Sequence, residues 1–459
     1  MQQSSNSRFQ TFTLSSHPHR ELVYQILEAA LQAADPGAAV QRNLSIANDV
    51  LTAGDQHYNL TQVAHIYLVG AGKAGAPMAL AAAAILGERL TAGLVIVKEG
   101  YEFRQASMPP QLKIVAAGHP LPDQRGVDAT RELLSLVSHI AADDLVICLL
   151  SGGASTLLTA PAAGITLPDL RHLTSFLLHS GADIREINTL RKHMDTVKGG
   201  GLVRAAAPAR VMSLILSDVI GDPLDIIASG PTAPDAGTFA QALTILQKYD
   251  LTPRVAPPIL EHLEQGADGV VAETPKSGDP LLEQVQNLVI GSNQQAARGA
   301  AETAVRLGFN TRLLAAPLQG EARLVGRILA QAAHDLAGGS PSLPRPACII
   351  AGGETTVTVR GGGLGGRNQE LALAAVETMN GLADTLLITL ATDGGDGPTD
   401  AAGALVSGES FSRARGLGLS PADHLARNDA YPFFDALGDL LKPGPTFTNV
   451  NDLVFLFAF

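Results

Sequence analysis

Short apolar runs that break into glycine-bearing loops and then helical stretches constrain this chain most. Residues 65–69, 94–97, 113–117, 145–150 and 211–216 are apolar enough for strands covered on both faces. Helical patterns over 76–90 and 128–140 lie among them. Apolar strands separated by helices pack as a parallel sheet, because the crossover helices cover both of its faces. Loops at the C-terminal ends of such strands are where these sheets bind ligands. With 459 residues, 46% of them hydrophobic and 4% aromatic, the chain fits an α/β fold of two domains with separate cores.

The pattern weakens after Pro231. Residues 232–285 are rich in proline, glycine and charge, so a domain boundary is expected near residue 245. The proline-rich stretch 338–346 is the alternative break. Strands restart at 288–290 and 347–351, and Gly352-Gly353-Glu354 reads as a loop. Further strands are expected at 386–391 and 453–459. The reading is therefore an N-terminal domain over 20–245 and a C-terminal α/β domain over 246–459.

The formal net charge of −12 argues against a general nucleic-acid binder, though local Lys and Arg still decide phosphate binding. Cys148 and Cys348 sit inside apolar runs and read as buried thiols, which leaves no disulfide framework and no cysteine-based zinc site. The first twenty residues are polar, so no signal peptide is expected. No apolar run reaches the ~18–20 residues of a membrane span; the longest candidate, 79–86, reads as a buried helix. A soluble, cytoplasmic protein with no membrane partner is expected.

Two glycine-rich loops carry cations. Gly361-Gly362-Gly363-Leu364-Gly365-Gly366 precedes Arg367-Asn368-Gln369-Glu370 and a helical stretch. Bare N–H groups, a helix start and a guanidinium together describe an anion site. Gly70-Ala71-Gly72-Lys73-Ala74-Gly75 lies between a strand and a helix. It satisfies G-x-G-x-x-G, and Lys98-Glu99 stands where a ribose-binding acid would sit, so a dinucleotide remains open. Lys73 within the loop points instead to a phosphate or carboxylate. Ser151-Gly152-Gly153 follows a third strand and is a further phosphate cradle.

Acidic residues gather after two strands: Asp218, Asp222 and Asp225, then Asp393, Asp396 and Asp400. Such carboxylates suit Mg²⁺ or proton transfer. Asp222 and Asp396 also fit turns, and Asp400 a helix N-cap. Arg191-Lys192-His193 with Lys198 forms a basic stretch in which Arg191 and Lys198, a heptad apart, share a helix face. It reads either as a solvated face or as a clamp for an anionic substrate. His119 lies in a proline-rich turn. G-x-S-x-G, HExxH and Walker A patterns are all missing from the sequence.

These motifs, in this order, resemble the glycerate 2-kinases that carry a C-terminal MOFRL domain, a family in which some members bear the name hydroxypyruvate reductase. Further landmarks are Gly118-His119-Pro120-Leu121-Pro122-Asp123, Gly352-Gly353-Glu354-Thr355 and Asn449-Val450-Asn451-Asp452-Leu453. The resemblance runs from about residue 20 to the C-terminus. It implies a Rossmann-like N-terminal domain, a mixed-sheet C-terminal domain with a MOFRL core from about 346, and phosphorylation of D-glycerate at C2 by ATP with Mg²⁺. It also points to Lys73 and Arg367 as active-site cations. The expected site comprises Lys73, Arg367, Asp218 and Asp393 as catalytic groups. Gly70, Gly72, His119, Ser151, Gly152, Gly153, Arg191, Lys198, Glu354, Gly365 and Gly366 are expected to bind substrate or nucleotide. Asp218, Asp222, Asp393 and Asp396 are expected to hold metal. A homodimer is compatible with this reading. Asp195 departs from the family, in which a small Ser is usual, and puts a carboxylate near Lys198. The competing readings are an NAD(P)H-dependent hydroxypyruvate reductase and a non-catalytic sensor of organic acids or nucleotides.

Overall fold

A computed structural model describes residues 8–102, 108–339 and 342–459. Residues 340 and 341 of the expected break, and the first seven residues, lie outside it. The chain forms two compact units: Pro36–Ile290, and Met1–Asp35 together with Gly291–Phe459.

The unit over Pro36–Ile290 opens with an antiparallel sheet of β1 (Leu44–Ala47), β2 (Val50–Ala53) and β3 (Gln56–Asn59). Asn48 and Asp49, both at positive φ, make the two-residue turn that suits a right-twisted hairpin. The main sheet consists of β4 (Ile66–Ala71), β5 (Leu90–Lys98), β6 (Leu112–Ala117), β7 (Leu145–Leu150), β8 (Arg210–Leu216) and β9 (Val285–Gly291). Their order is β6-β5-β4-β7-β8-β9, and β4 pairs in parallel with both β5 and β7. Every residue of β7 is buried, as its apolar run requires. Val69, Ile96, Val146 and Leu150 share a core with Leu133 and Leu157 from the flanking helices. Taken in sequence, this order is the 3-2-1-4-5-6 arrangement of dinucleotide-binding folds. Its direction of travel reverses between β4 and β7.

The other unit has a mixed sheet. Its strands are β10 (Asn310–Leu313), β11 (Leu318–Glu321), β12 (Ala347–Thr356), β13 (Thr385–Ala391), β14 (Gly403–Ser407), β15 (Leu440–Leu441) and β16 (Asp452–Ala458). β16 lies antiparallel between β12 and β13 and is buried along its whole length. Gly352-Gly353-Glu354 is not the expected loop, because β12 continues through it. Glycine is needed there for close approach: a Cβ on Gly352 would lie 1.8 Å from Asn293 Oδ1, and one on Gly353 2.2 Å from Leu318 O. The helix Arg20–Ala33 packs on the helix Asn293–Arg306, where Gly299 leaves room for Ala33. Among the described residues, no helix is long and apolar enough to cross a membrane.

Candidate active site

In the parallel-sheet unit, the loops after β4 and β7 interlock at the point of reversal. Lys73 N–H donates to Gly152 O at 2.8 Å, Ala74 N–H to Ser151 Oγ at 3.0 Å and Ser151 N–H to Ala71 O at 3.1 Å. Gly72 N–H reaches Ile96 O and Gly75 N–H reaches Gly72 O, both at 3.0 Å. The N–H groups of residues 72–75 are thus all bonded within the protein, and this loop does not offer the bare cradle its glycines suggest. Gly70 and Gly72 allow close approach: added Cβ atoms would lie 2.1 Å from Leu149 O and from Ser151 Oγ respectively. The open N–H groups belong to Gly152 and Gly153, which have no acceptor among the described residues. His119 and the Lys73 stem border them, since a Cβ on Gly153 would lie 3.1 Å from His119 Nε2 and 3.6 Å from Lys73 Cγ. Burial, reinforced by the charges of Lys73 and Lys98, pushes the His119 pKa down to about 4. The imidazole is therefore neutral at neutral pH.

The basic stretch divides. Its helix, Ile184–His193, ends before Lys198, so Arg191 and Lys198 do not share one helix face. Lys198 is buried and donates to Asp195 Oδ2 at 2.6 Å, Leu158 O at 2.7 Å and Thr159 Oγ1 at 3.4 Å. All three of its donors have protein partners, so it acts as an anchor rather than an open cation. Lys192 pairs with Asp235 at 3.1 Å, and Asp225 Oδ2 lies 3.8 Å from it. Among the described residues Arg191 makes one hydrogen bond, from Nη2 to Ser155 O at 2.9 Å. Asp218 follows β8 directly and is half-buried. Asp222 sits at φ +55° in a turn closed on Val219 O, the turn-former role its neighbours suggested.

In the mixed-sheet unit, Arg367 opens the helix Arg367–Ala375. Its Nε and Nη2 grip Asp452 Oδ2 and Oδ1 at 2.6 and 3.2 Å, and Nη1 holds Glu354 Oε1 at 2.6 Å. Asn293 Nδ2 in turn fixes the carbonyls of Val450 and Asp452 at 2.8 and 2.9 Å. The helix start binds an anion, as expected, but that anion is a side chain of the protein: Asp396 Oδ2 accepts from Gln369 N–H at 2.9 Å. Gly366 makes this possible, because a Cβ there would lie 2.3 Å from the Asp396 carboxylate. Burial raises the Asp396 pKa to about 7, with the charge of Asp452 adding to the effect and the Gln369 and Asn368 N–H groups opposing it.

Half of the glycine run before Arg367 is also bonded. Gly361 N–H donates to Asn428 Oδ1 at 3.0 Å, Gly363 N–H to Arg427 O at 2.9 Å and Leu364 N–H to Asp429 Oδ1 at 3.0 Å. Gly362, Gly365 and Gly366 N–H have no acceptor among the described residues. Asp393 is half-buried after β13, with its Oδ1 3.2 Å from Gly395 N. Asp400 precedes a strand, not a helix, and accepts from Tyr431 Oη at 2.7 Å at the surface. Sequence reasoning about single motifs did not single out Asp452, Asn428 or Asp429 as partners of Arg367 and its loop. The one local signal for Asp452 is a carboxylate directly before an apolar strand.

Residues 22–264 match the family described as "Domain of unknown function (DUF4147)", and residues 347–452 match the MOFRL family. The chain is 39% identical to a D-glycerate 2-kinase of Thermotoga maritima, over 95% of this chain and 97% of that one. A protein of Agrobacterium vitis provisionally named a hydroxypyruvate reductase is 38% identical, over 95% of this chain and 93% of its own. The crystal structure of a glycerate kinase from Thermotoga maritima superposes with a TM-score of 0.85 at 38% identity, covering 96% of this chain and 99% of that one. In sequence and in fold, the chain belongs to the glycerate kinase family built from DUF4147 and MOFRL domains.

Proposed function

We propose that this protein is a D-glycerate 2-kinase, transferring the γ-phosphoryl group of ATP to the C2 hydroxyl of D-glycerate. The observation that carries the reading is the anion seat after β7. There the open N–H groups of Gly152 and Gly153 lie beside Lys73 and a neutral His119, where the strand order reverses. Phosphoryl transfer needs positioning and charge neutralisation more than covalent chemistry.

In this reading Lys73 holds the glycerate carboxylate or a phosphoryl oxygen, and the Gly152 and Gly153 N–H groups cradle the same ligand. Arg367 uses three of its five N–H groups on Asp452 and Glu354, which fixes its plane and leaves two for charge on the phosphoryl group. Asp218 or Asp393 accepts the C2 hydroxyl proton. A Mg²⁺ carried with the nucleotide takes one or two carboxylates besides phosphate and water, and these half-buried aspartates fit that demand. Bound there, the ion would screen phosphate charge. Among the described residues no group of three or more His, Cys, Asp or Glu side chains is placed to hold a metal, so a Mg²⁺ here would rely on phosphate oxygens and water beside one or two of Asp218, Asp222, Asp393 and Asp396.

The reductase reading is the weaker one. A dinucleotide pyrophosphate needs the N–H groups of residues 72–75, which are already bonded, and Glu99 is tied to Arg125 at 2.8 Å. A cytoplasmic setting, with Cys148 and Cys348 reduced, belongs to the same proposal. The test is ADP release with D-glycerate and Mg·ATP, run beside hydroxypyruvate with NADH or NADPH. Glycerate-dependent ADP release, lowered ~10²-fold or more in Lys73→Ala, is expected. NAD(P)H oxidation without ADP release would overturn the reading.

A further inference from the structure

We infer that Ser229 is a positioning residue for phosphoryl transfer: through the Ser155 hydroxyl it ties the anion seat of Gly152 and Gly153 to the segment after β8 that bears Asp218. The inference rests on the kinase reading and adds a residue pair to it. Ser229 sits in a turn with an unusual backbone. Ala228 and Ser229 have φ of +55° and +61°, and Gly230 follows at +62°. Only the last is a glycine. A Cβ makes the left-handed region costly, and alanine has no side-chain hydrogen bond to offset that cost. Both residues are buried, Ser229 to 1% exposure. Such strain persists only where the surroundings over-determine it, and it gathers where a functional group must be held in one place.

The surroundings do over-determine this turn. Gly199 N–H donates to Ser229 O at 2.9 Å and Gly200 N–H to Gly230 O at 2.7 Å. Ser229 N–H donates to Ile226 O at 2.9 Å, and a Cβ on Gly230 would lie 3.1 Å from Asp225 O. Ile227 and Ala228 share a core with Ala154 and Leu157, which stand on either side of Ser155 in the chain. What this scaffold presents is one hydroxyl. Ser229 Oγ lies 2.6 Å from Ser155 Oγ and has no other partner among the described residues. A buried hydroxyl hydrogen without an acceptor is costly, so Ser229 donates and Ser155 accepts. Arg191 Nη2 holds Ser155 a second time, at its carbonyl. Ser155 stands two residues beyond Gly153, whose carbonyl accepts from Thr156 N–H at 3.1 Å and Leu157 N–H at 3.2 Å. Moving Ser155 therefore shifts the turn in which the Gly152 and Gly153 N–H groups are aimed. The seat follows β7 and Asp218 follows β8, and the Ser155–Ser229 pair is a side-chain hydrogen bond that joins the two segments.

The experiment is steady-state kinetics of the full chain with D-glycerate and Mg·ATP, in wild type, Ser229→Ala, Ser155→Ala and the double variant, with the melting temperature of each. Either single substitution is expected to lower kcat about tenfold and to leave both KM values within about threefold, because the seat still forms but is no longer held in place. The double variant is expected to match the worse single one, since each substitution removes the same bond. A structural role alone would lower the melting temperature and spare kcat at a temperature where all four chains are folded; that result overturns the proposal. So does a double variant down about a hundredfold, which would mean that the two hydroxyls act independently. Wild type without glycerate-dependent turnover overturns the kinase reading, and this role with it. An active wild type with Ser229→Ala within about twofold of its kcat overturns the positioning role and leaves the kinase reading intact.

Discussion

Removing the Asp195 carboxylate should weaken the parallel-sheet unit by an amount the structure allows one to work out. Asp195 and Lys198 are each 2% exposed in their side chains and meet at 2.6 Å. Asp195 also accepts from Ala160 N–H at 3.1 Å and Val197 N–H at 3.0 Å. Breaking a buried pair by deleting one partner costs about 3–5 kcal/mol, and each stranded N–H about 1–3 kcal/mol. These terms overlap, so Asp195→Ala should lose about 4 kcal/mol at pH 7, a large share of the 5–15 kcal/mol that is typical for a domain. Burial lowers the Lys198 pKa to about 8, although Asp195 opposes the shift. The unfolded chain therefore binds more protons between pH ~8 and the ordinary lysine value, and wild-type stability rises with pH through that window. Without Asp195 the lysine pKa falls further, so the variant starts to gain stability at lower pH than wild type, and its deficit narrows as pH rises toward ~8 and is constant above it. Lys198→Met in the same chain should restore much of the loss. Urea unfolding at pH 7 and pH 9.5 measures all three effects. A deficit below about 1 kcal/mol, or one unchanged by pH, would refute the assignment of Asp195 as the partner of a buried lysine.

Other expectations follow from the same geometry. Asp452→Asn removes the charge that aligns Arg367, and kcat should fall ~10²-fold with a smaller change in the KM for glycerate; equal kinetics would contradict a fixed guanidinium. Because burial lifts the Asp396 pKa to about 7, its contribution to stability is full below the ordinary aspartate range and is lost as pH rises toward and through 7. Wild-type Tm should thus decline from pH 5 to 8, and Asp396→Asn should flatten that decline; parallel slopes would count against it. Gly72→Ala places a Cβ 2.1 Å from Ser151 Oγ at φ +138° and should cost about 3 kcal/mol or more. An unchanged melting temperature would show that the two loops are not interlocked.

The parallel sheet was legible because strands covered on both faces leave unbroken apolar runs, as Leu145–Leu150 does. The loops bearing Lys73 and Ser151 were legible because glycines cluster at the ends of such strands. Their role was only half legible. Glycine marks close backbone approach as readily as it marks open N–H groups, and sequence alone does not separate Gly72, packed on Ser151, from Gly152 and Gly153, which keep theirs open. The same ambiguity made Gly352-Gly353 look like a loop inside β12. Pairing between residues distant in the chain left little local trace: Asn428 and Asp429 bind the glycine run, Asp452 binds Arg367 with only its place before an apolar strand to mark it, and Thr448 Oγ1 reaches Ala34 O at 2.6 Å. The hairpin turn Asn48-Asp49 lacks the glycine that usually announces such turns, so β1–β3 went unread.

The most direct test of the account is the identity of the product. D-Glycerate and Mg·ATP would be incubated with the protein and with enolase, in the absence of phosphoglycerate mutase, so that only phosphorylation at C2 yields an enolase substrate. The account predicts phosphoenolpyruvate formed in step with ADP, and loss of both signals in Lys73→Ala. ADP release without phosphoenolpyruvate would place the phosphoryl group on the other hydroxyl, and no ADP release at all would contradict the kinase assignment.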